Sequence, residues 1–120
     1  MISGLDCEGM GSEMEIVSER LGDAVVLRLG GDRLDAQVSP SVRNQIIEAL
    51  DQGCKHLIVD LSKVSFIDSS GLGALISGLK NSSIRSARLV LAGVQPRVRG
   101  LFELTRLEKV FEIIPAVDQR

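Results

Sequence analysis

Within this 120-residue chain, the segment Phe66-Ile67-Asp68-Ser69-Ser70-Gly71-Leu72-Gly73 holds the residue types best placed to do chemistry. An apolar run ends in Asp68-Ser69-Ser70, and a helical pattern begins at once. Asp and Ser are N-cap residues, and a helix N-terminus offers free N–H groups and the positive end of its dipole. A hydroxyl held there stands exposed, and a phosphate placed on it is received by those N–H groups. Capping alone explains Asp-Ser at many helix starts, so at this level both readings stand.

The glycines that follow bear on the choice. Gly71, Gly73 and Gly78 each cost the helix about 1 kcal/mol against alanine. On a helical wheel Gly71, Ala74 and Gly78 fall within about 60° of one another, beside and behind the face centred on Leu72, Leu75, Ile76 and Leu79. Such a stripe of small residues admits another backbone at close range. It serves either as a docking surface for a partner or as a tight packing seam within the domain, and the sequence favours the docking surface.

Other chemistries lack their residues. A nucleophile elbow needs glycine two positions before the serine, where Ile67 and Asp68 stand. Gly71-Leu72-Gly73 has no GxGxxG continuation, and Lys80 comes too late for a phosphate-binding loop. His56 is the single histidine and reads as an exposed residue at a strand edge. It leaves no material for a His-based triad or a transition-metal site. Cys7 and Cys54 form no CxxC pair and fit two reduced thiols. No catalytic residue, metal ligand or cofactor is therefore assigned.

Composition narrows the field further. A net charge of −2, from 14 basic and 16 acidic residues, gives no electrostatic footprint for nucleic acid. Three Phe without Trp or Tyr leave little to stack bases on. No apolar run reaches the roughly 18–20 residues that span a bilayer, and there is no charged start leading into an apolar stretch. The expectation is a cytoplasmic protein without membrane insertion, a monomer or weak dimer.

The elements that must position Ser69 follow from periodicity and punctuation. Residues 1–13 read as a flexible leader and residues 14–120 as one domain. An edge strand over 14–18 and a β-rich run over 24–29 flank Gly22-Asp23 and suggest a hairpin. Ser39 reads as an N-cap and Pro40 as the first helical residue; Val42, Ile46, Ile47 and Leu50 then recur at helical spacing, and Gly53 supplies a left-handed stop. Residues 57–61 form a buried strand that Phe66-Ile67 resumes. A second helix covers about 70–84, a strand 88–92, a third helix opens at Pro96, and a last strand spans 110–114. This ββαβαβαβ order implies an α/β domain with a mostly parallel mixed sheet and an N-terminal hairpin.

Ile67-Asp68-Ser69-Ser70-Gly71-Leu72-Gly73, preceded by Leu57-Ile58-Val59-Asp60-Leu61 and Val64-Ser65-Phe66, resembles the signature of bacterial anti-sigma factor antagonists of the STAS domain family. Gly31-Asp32-Arg33-Leu34-Asp35 resembles the family's turn after the first long strand, one residue longer than its commonest form. Residues 99–107 and the closing strand from Val110 resemble its third landmark.

The resemblance implies a partner switch. An anti-sigma factor with a histidine-kinase-like ATP fold holds either its sigma factor or the antagonist, and phosphorylates the antagonist on the first serine after the aspartate, here Ser69. A metal-dependent serine phosphatase resets it. By the same matching, Asp35 is the acidic loop residue near that serine, Asp68 the acid before it, and Ser70 completes the phosphosite environment. Partner binding falls to Gly71, Ala74 and Gly78. The alternative within the fold is a non-phosphorylated adaptor subunit of a lipid-transport ATPase complex, or a stress-signalling scaffold. Family members carry a further helix after the last strand. A chain ending at Arg120 has that helix short or missing, which leaves the far face of the sheet partly uncovered.

Overall fold

In a computed structural model, which describes residues 15–117, β1 (Ile16–Leu21) pairs antiparallel with β2 (Ala24–Leu29) across Gly22-Asp23. The leader expected at residues 1–13 lies outside the described residues, as do Cys7 and Met14. β4 (His56–Asp60), β6 (Arg88–Ala92) and β7 (Glu112–Ile114) extend the sheet in parallel, in the order β1-β2-β4-β6-β7. The last strand is shorter than expected: Val110 stays outside it, more than half exposed after a 3-10 turn at Leu107–Lys109.

Strand alternation sends Leu27, Leu29, Leu57, Val59, Leu89 and Leu91 to one face. There they join Val42, Ile46 and Leu50 of α1 (Ser39–Asp51), Leu75 of α2 (Ser69–Ile84), and Val98 and Phe102 of α3 (Pro96–Leu104). α1, α2 and α3 thus lie on one side. α1 stops at Gly53, whose φ of 95° takes the left-handed conformation expected of it. The start of α1 differs from expectation. Val38 is the N-cap, and Ser39 is buried inside the first turn, its hydroxyl donating to the Asp35 carbonyl at 2.6 Å.

Two further expectations are corrected. The far face of the sheet is not left open, because Ala24, Val26, Ile58, Val90 and Ala92 are buried there and Val117 packs onto them. His56 opens a central strand, not an edge; it is half-buried, and its Nε2 has no hydrogen-bond partner among the described residues.

Phe66-Ile67 does not resume β4. The chain leaves the main sheet at Leu61, turns through residues 62–64, and Ser65 and Phe66 donate their N–H groups to the Asp32 carbonyl. β5 (Phe66–Ile67) pairs in parallel with β3 (Arg33–Leu34) in a separate two-stranded sheet. Leu34 and Ile67 turn inward to the core, while Arg33 and Phe66 face out. This small sheet sets the start of α2.

Candidate functional site

The β3–β5 ladder pairs Arg33 with Phe66 and Leu34 with Ile67, so the next positions, Asp35 and Asp68, stand side by side at its carboxyl end. An N–H bond from Asp68 to the Leu34 carbonyl, 3.2 Å, closes the junction. Asp68 is the N-cap of α2, and its carboxylate accepts from the Gly71 N–H at 3.0 Å. Ser69 is the first helical residue, and both Ser69 and Ser70 are exposed. The strand-to-helix junction therefore presents a hydroxyl to solvent.

Gly71 makes that junction possible. A Cβ at this position would stand 2.4 Å from the Leu34 carbonyl oxygen and 2.7 Å from Ile67 Cγ1, closer than any side chain can sit. Only glycine lets the first turn of α2 rest on the small sheet. Further along, a Cβ on Gly78 would meet Ile46 at 3.0 Å, and Ala74 is buried. Gly71 and Gly78 are thus filled from within, by the small sheet and α1, and Ala74 is buried where it lines the cleft between α1 and α2, so burial argues against the stripe as a docking surface. The apolar face read on the wheel is corrected at one residue: Leu75 is fully buried and Leu72 and Leu79 pack half-buried on the core, but Ile76 is 42% exposed. Close backbone approach at the glycines turns the buried face away from Ile76.

The structure brings Asp35, Asp68, Ser69 and Ser70 together at one corner. It does not give Asp35 to the Ser69 hydroxyl. One Asp35 oxygen accepts from the Gln37 N–H at 3.1 Å, and the other faces Arg33 Nε at 3.6 Å. The two serines also differ in outlook. Ser70 lines a cleft of about 250 Å³ between α1 and α2, together with Ser39, Pro40, Arg43, Gly73 and Ser77, and Ser69 does not. A wider groove of about 670 Å³ lies under β1, beside Glu48 and Cys54 at the end of α1, and shares no residue with this corner.

Two residues to which the sequence reading gives no site role stand out here. Gly73 is exposed with open space where its Cβ would point, so unlike Gly71 it answers no packing demand. Arg33 lays its guanidinium over the exposed Phe66 ring, 4.4 Å from the centroid. The signal for that stack was the alternation of Arg33-Leu34 against Phe66-Ile67, visible only once the two segments are known to pair. Among the described residues no group of His, Cys, Asp and Glu is arranged to hold a metal ion, and no helix is long and apolar enough to cross a membrane.

Comparison with known proteins follows the same lines. The chain is 31% identical over 106 residues to the anti-sigma F factor antagonist of Paenibacillus polymyxa, covering 88% of this chain and 87% of that one. It is 34% identical over 98 residues to the anti-sigma-B factor antagonist of Listeria monocytogenes, covering 81% and 84%. Among solved structures, the Bacillus cell fate determinant SpoIIAA in its phosphorylated form matches with a TM-score of 0.69 at 25% identity, covering 88% of this chain and 94% of that one. The STAS domain itself matches residues 15–120, the span that holds the hairpin, the parallel ladder and the Asp68–Ser69 junction. With the sequence motif, the sheet order and these relatives in agreement, the chain belongs to the STAS domain family.

Proposed function

We propose that this chain is an anti-sigma factor antagonist in a partner switch, acting in the cytoplasm as a phosphate acceptor and not as a catalyst. Its unmodified form binds an anti-sigma factor that is also a serine kinase, and the sigma factor is released. The kinase then transfers the γ-phosphoryl group of Mg-ATP to Ser69 Oγ; the bond to ADP breaks, and the hydroxyl proton passes to a base on the kinase. A metal-dependent serine phosphatase hydrolyses the phosphate and restores the binding form.

The observation that carries this reading is the Ser69 hydroxyl, exposed on the first turn of α2 and held at a fixed junction by the Asp68 cap and the Gly71 contact. Relatives named as antagonists of anti-sigma factors support it, and so does the likeness to a protein solved in a phosphorylated form. With the glycine stripe buried, the surface left to a partner is the outer shoulder of α2, where Ser69, Gly73 and Ile76 follow one another at helical spacing beside Phe66. Gly73 carries the helical cost of glycine, about 1 kcal/mol, with no packing reason inside the domain, which fits a partner backbone that passes over it.

Phosphorylation acts here through the interface. A phosphoserine adds about −1.5 to −2 charge beside Asp68 and Asp35, and a docked partner must desolvate it or oppose it. Incubation with the kinase-type anti-sigma factor and Mg-ATP is expected to add one phosphate, which phosphopeptide mapping places on Ser69. Label on Ser70 or elsewhere, or full labelling of Ser69→Ala, overturns the reading.

A further inference from the structure

We infer that Arg33 is the receptor, within the same chain, for a phosphate on Ser69, exchanging its contact with Asp35 for the phosphoryl oxygens. The inference rests on the Ser69 reading above and adds where the phosphate goes. Arg33 and Phe66 form the outward pair of the small sheet. Asp35, whose carboxylate faces Arg33 Nε, and Asp68, the N-cap of α2, follow at its carboxyl end. Two residue steps separate Arg33 from the level of the Asp35–Asp68 pair, about 7 Å along the chain, a span that an extended arginine covers.

The present contact of Arg33 is a loose one. Its Nε stands 3.6 Å from Asp35 Oδ2, and its side chain is 59% exposed. Asp35 keeps the Gln37 N–H on its other oxygen, so it retains a partner when Arg33 leaves. A phosphoserine dianion next to Asp35 and Asp68, with Asp32 at the other end of β3, makes this corner strongly negative. The guanidinium fork engages phosphate through two parallel hydrogen bonds, which a single contact to Asp35 does not match. The guanidinium carbon lies 4.4 Å from the Phe66 ring centroid, a cation–π contact that keeps the group on the outer side of the small sheet. Arg43 sits instead in the α1–α2 cleft with Ser70. The two serines thus have different cations.

The test uses the full chain with phosphoserine installed at position 69 by genetic encoding, so that its outcome does not depend on which serine the kinase selects. A ³¹P NMR titration reads the second ionisation of the phosphate. A nearby cation favours the dianion, so Arg33→Gln is expected to raise that pKa by about half a unit, roughly a threefold change in proton affinity. Arg33→Lys is expected to fall between, and Arg43→Gln to leave it unmoved. In the otherwise wild-type chain, the Arg33 Nε–H resonance is expected to shift when phosphoserine replaces serine. An unmoved pKa in Arg33→Gln, or a shift produced by Arg43→Gln instead, overturns the inference. Mapping of the kinase product tests the underlying Ser69 reading separately.

Discussion

The β2–β4–β6 ladder and the β3–β5 pair are both parallel, yet they are held in different ways. The ladder runs four residue pairs at its first junction and five at its second, while the small sheet runs two. Behind the ladder lies a continuous core of Leu, Val and Ile, and loss of one contact leaves many others. The small sheet has Leu34, Ile67 and a glycine contact. Stability is concentrated in the first region, and Ser69, the serine proposed to take the phosphate, is carried by the second, so a change can spare one and damage the other.

The largest expected effect is in the ladder. Leu57 is fully buried in the central strand, and Leu57→Ala is expected to cost about 2–5 kcal/mol through lost transfer energy and an unfilled cavity. Urea unfolding measures this; a loss below 1 kcal/mol would mean that the core closes over the gap and is less tightly packed than described.

The two glycines at the start of α2 give the sharpest contrast, because the expected signs are opposite. Gly71→Ala forces a methyl group against the Leu34 carbonyl and is expected to destabilise by about 1–3 kcal/mol. It is also expected to slow phosphorylation, since the whole Ser69 turn must lift. Gly73→Ala meets open space and is expected to stabilise by up to about 1 kcal/mol. Equal effects at both positions would show that helix propensity alone, and not the approach of α2 to the small sheet, explains these glycines. Asp68→Ala comes next, at about 1 kcal/mol for a lost N-cap, read from the same unfolding curves.

The smallest effect concerns the far edge of the main sheet. Arg88 and Glu112 form a hydrogen-bonded ion pair across β6 and β7, and this bond holds the Glu112 carboxyl below its ordinary value. A depressed folded-state pKa stabilises above the unfolded value of 4.5, and that stabilisation is lost as pH falls through the folded value. The pair is solvent-screened, so Glu112→Gln is expected to cost about 0.5 kcal/mol or less near neutral pH and nothing measurable in strong acid. A loss that grew toward low pH would contradict this sign.

The same contrast explains what the sequence made legible. β2, β4 and β6 announce themselves as apolar runs, and α1 and α3 by Pro40, Pro96 and Gly53, because these elements answer to burial and local punctuation. β3 and β5 do not, because two-residue strands show no period and their pairing joins segments 33 residues apart. The facing of α2 is legible only in part, for a related reason. A wheel weighted by side-chain size puts Ile76 inward with Leu72, Leu75 and Leu79, which do pack on the core, but misses that Ile46 and the Leu34 carbonyl fill the space left by Gly78 and Gly71. The Asp68-Ser69 junction itself was legible, since capping chemistry is local. Its neighbours on the small sheet, Arg33 and Phe66, were not.

The central claim is that phosphate on Ser69 acts on the interface and spares the fold. Its most direct test is calorimetric affinity of the kinase-type anti-sigma factor for the unmodified chain and for the chain carrying phosphoserine at position 69, with circular dichroism of each. The expected result is binding at least about tenfold weaker, 1.4 kcal/mol, with unchanged spectra. Equal affinity of the two forms, or loss of the folded spectrum on phosphorylation, would contradict it.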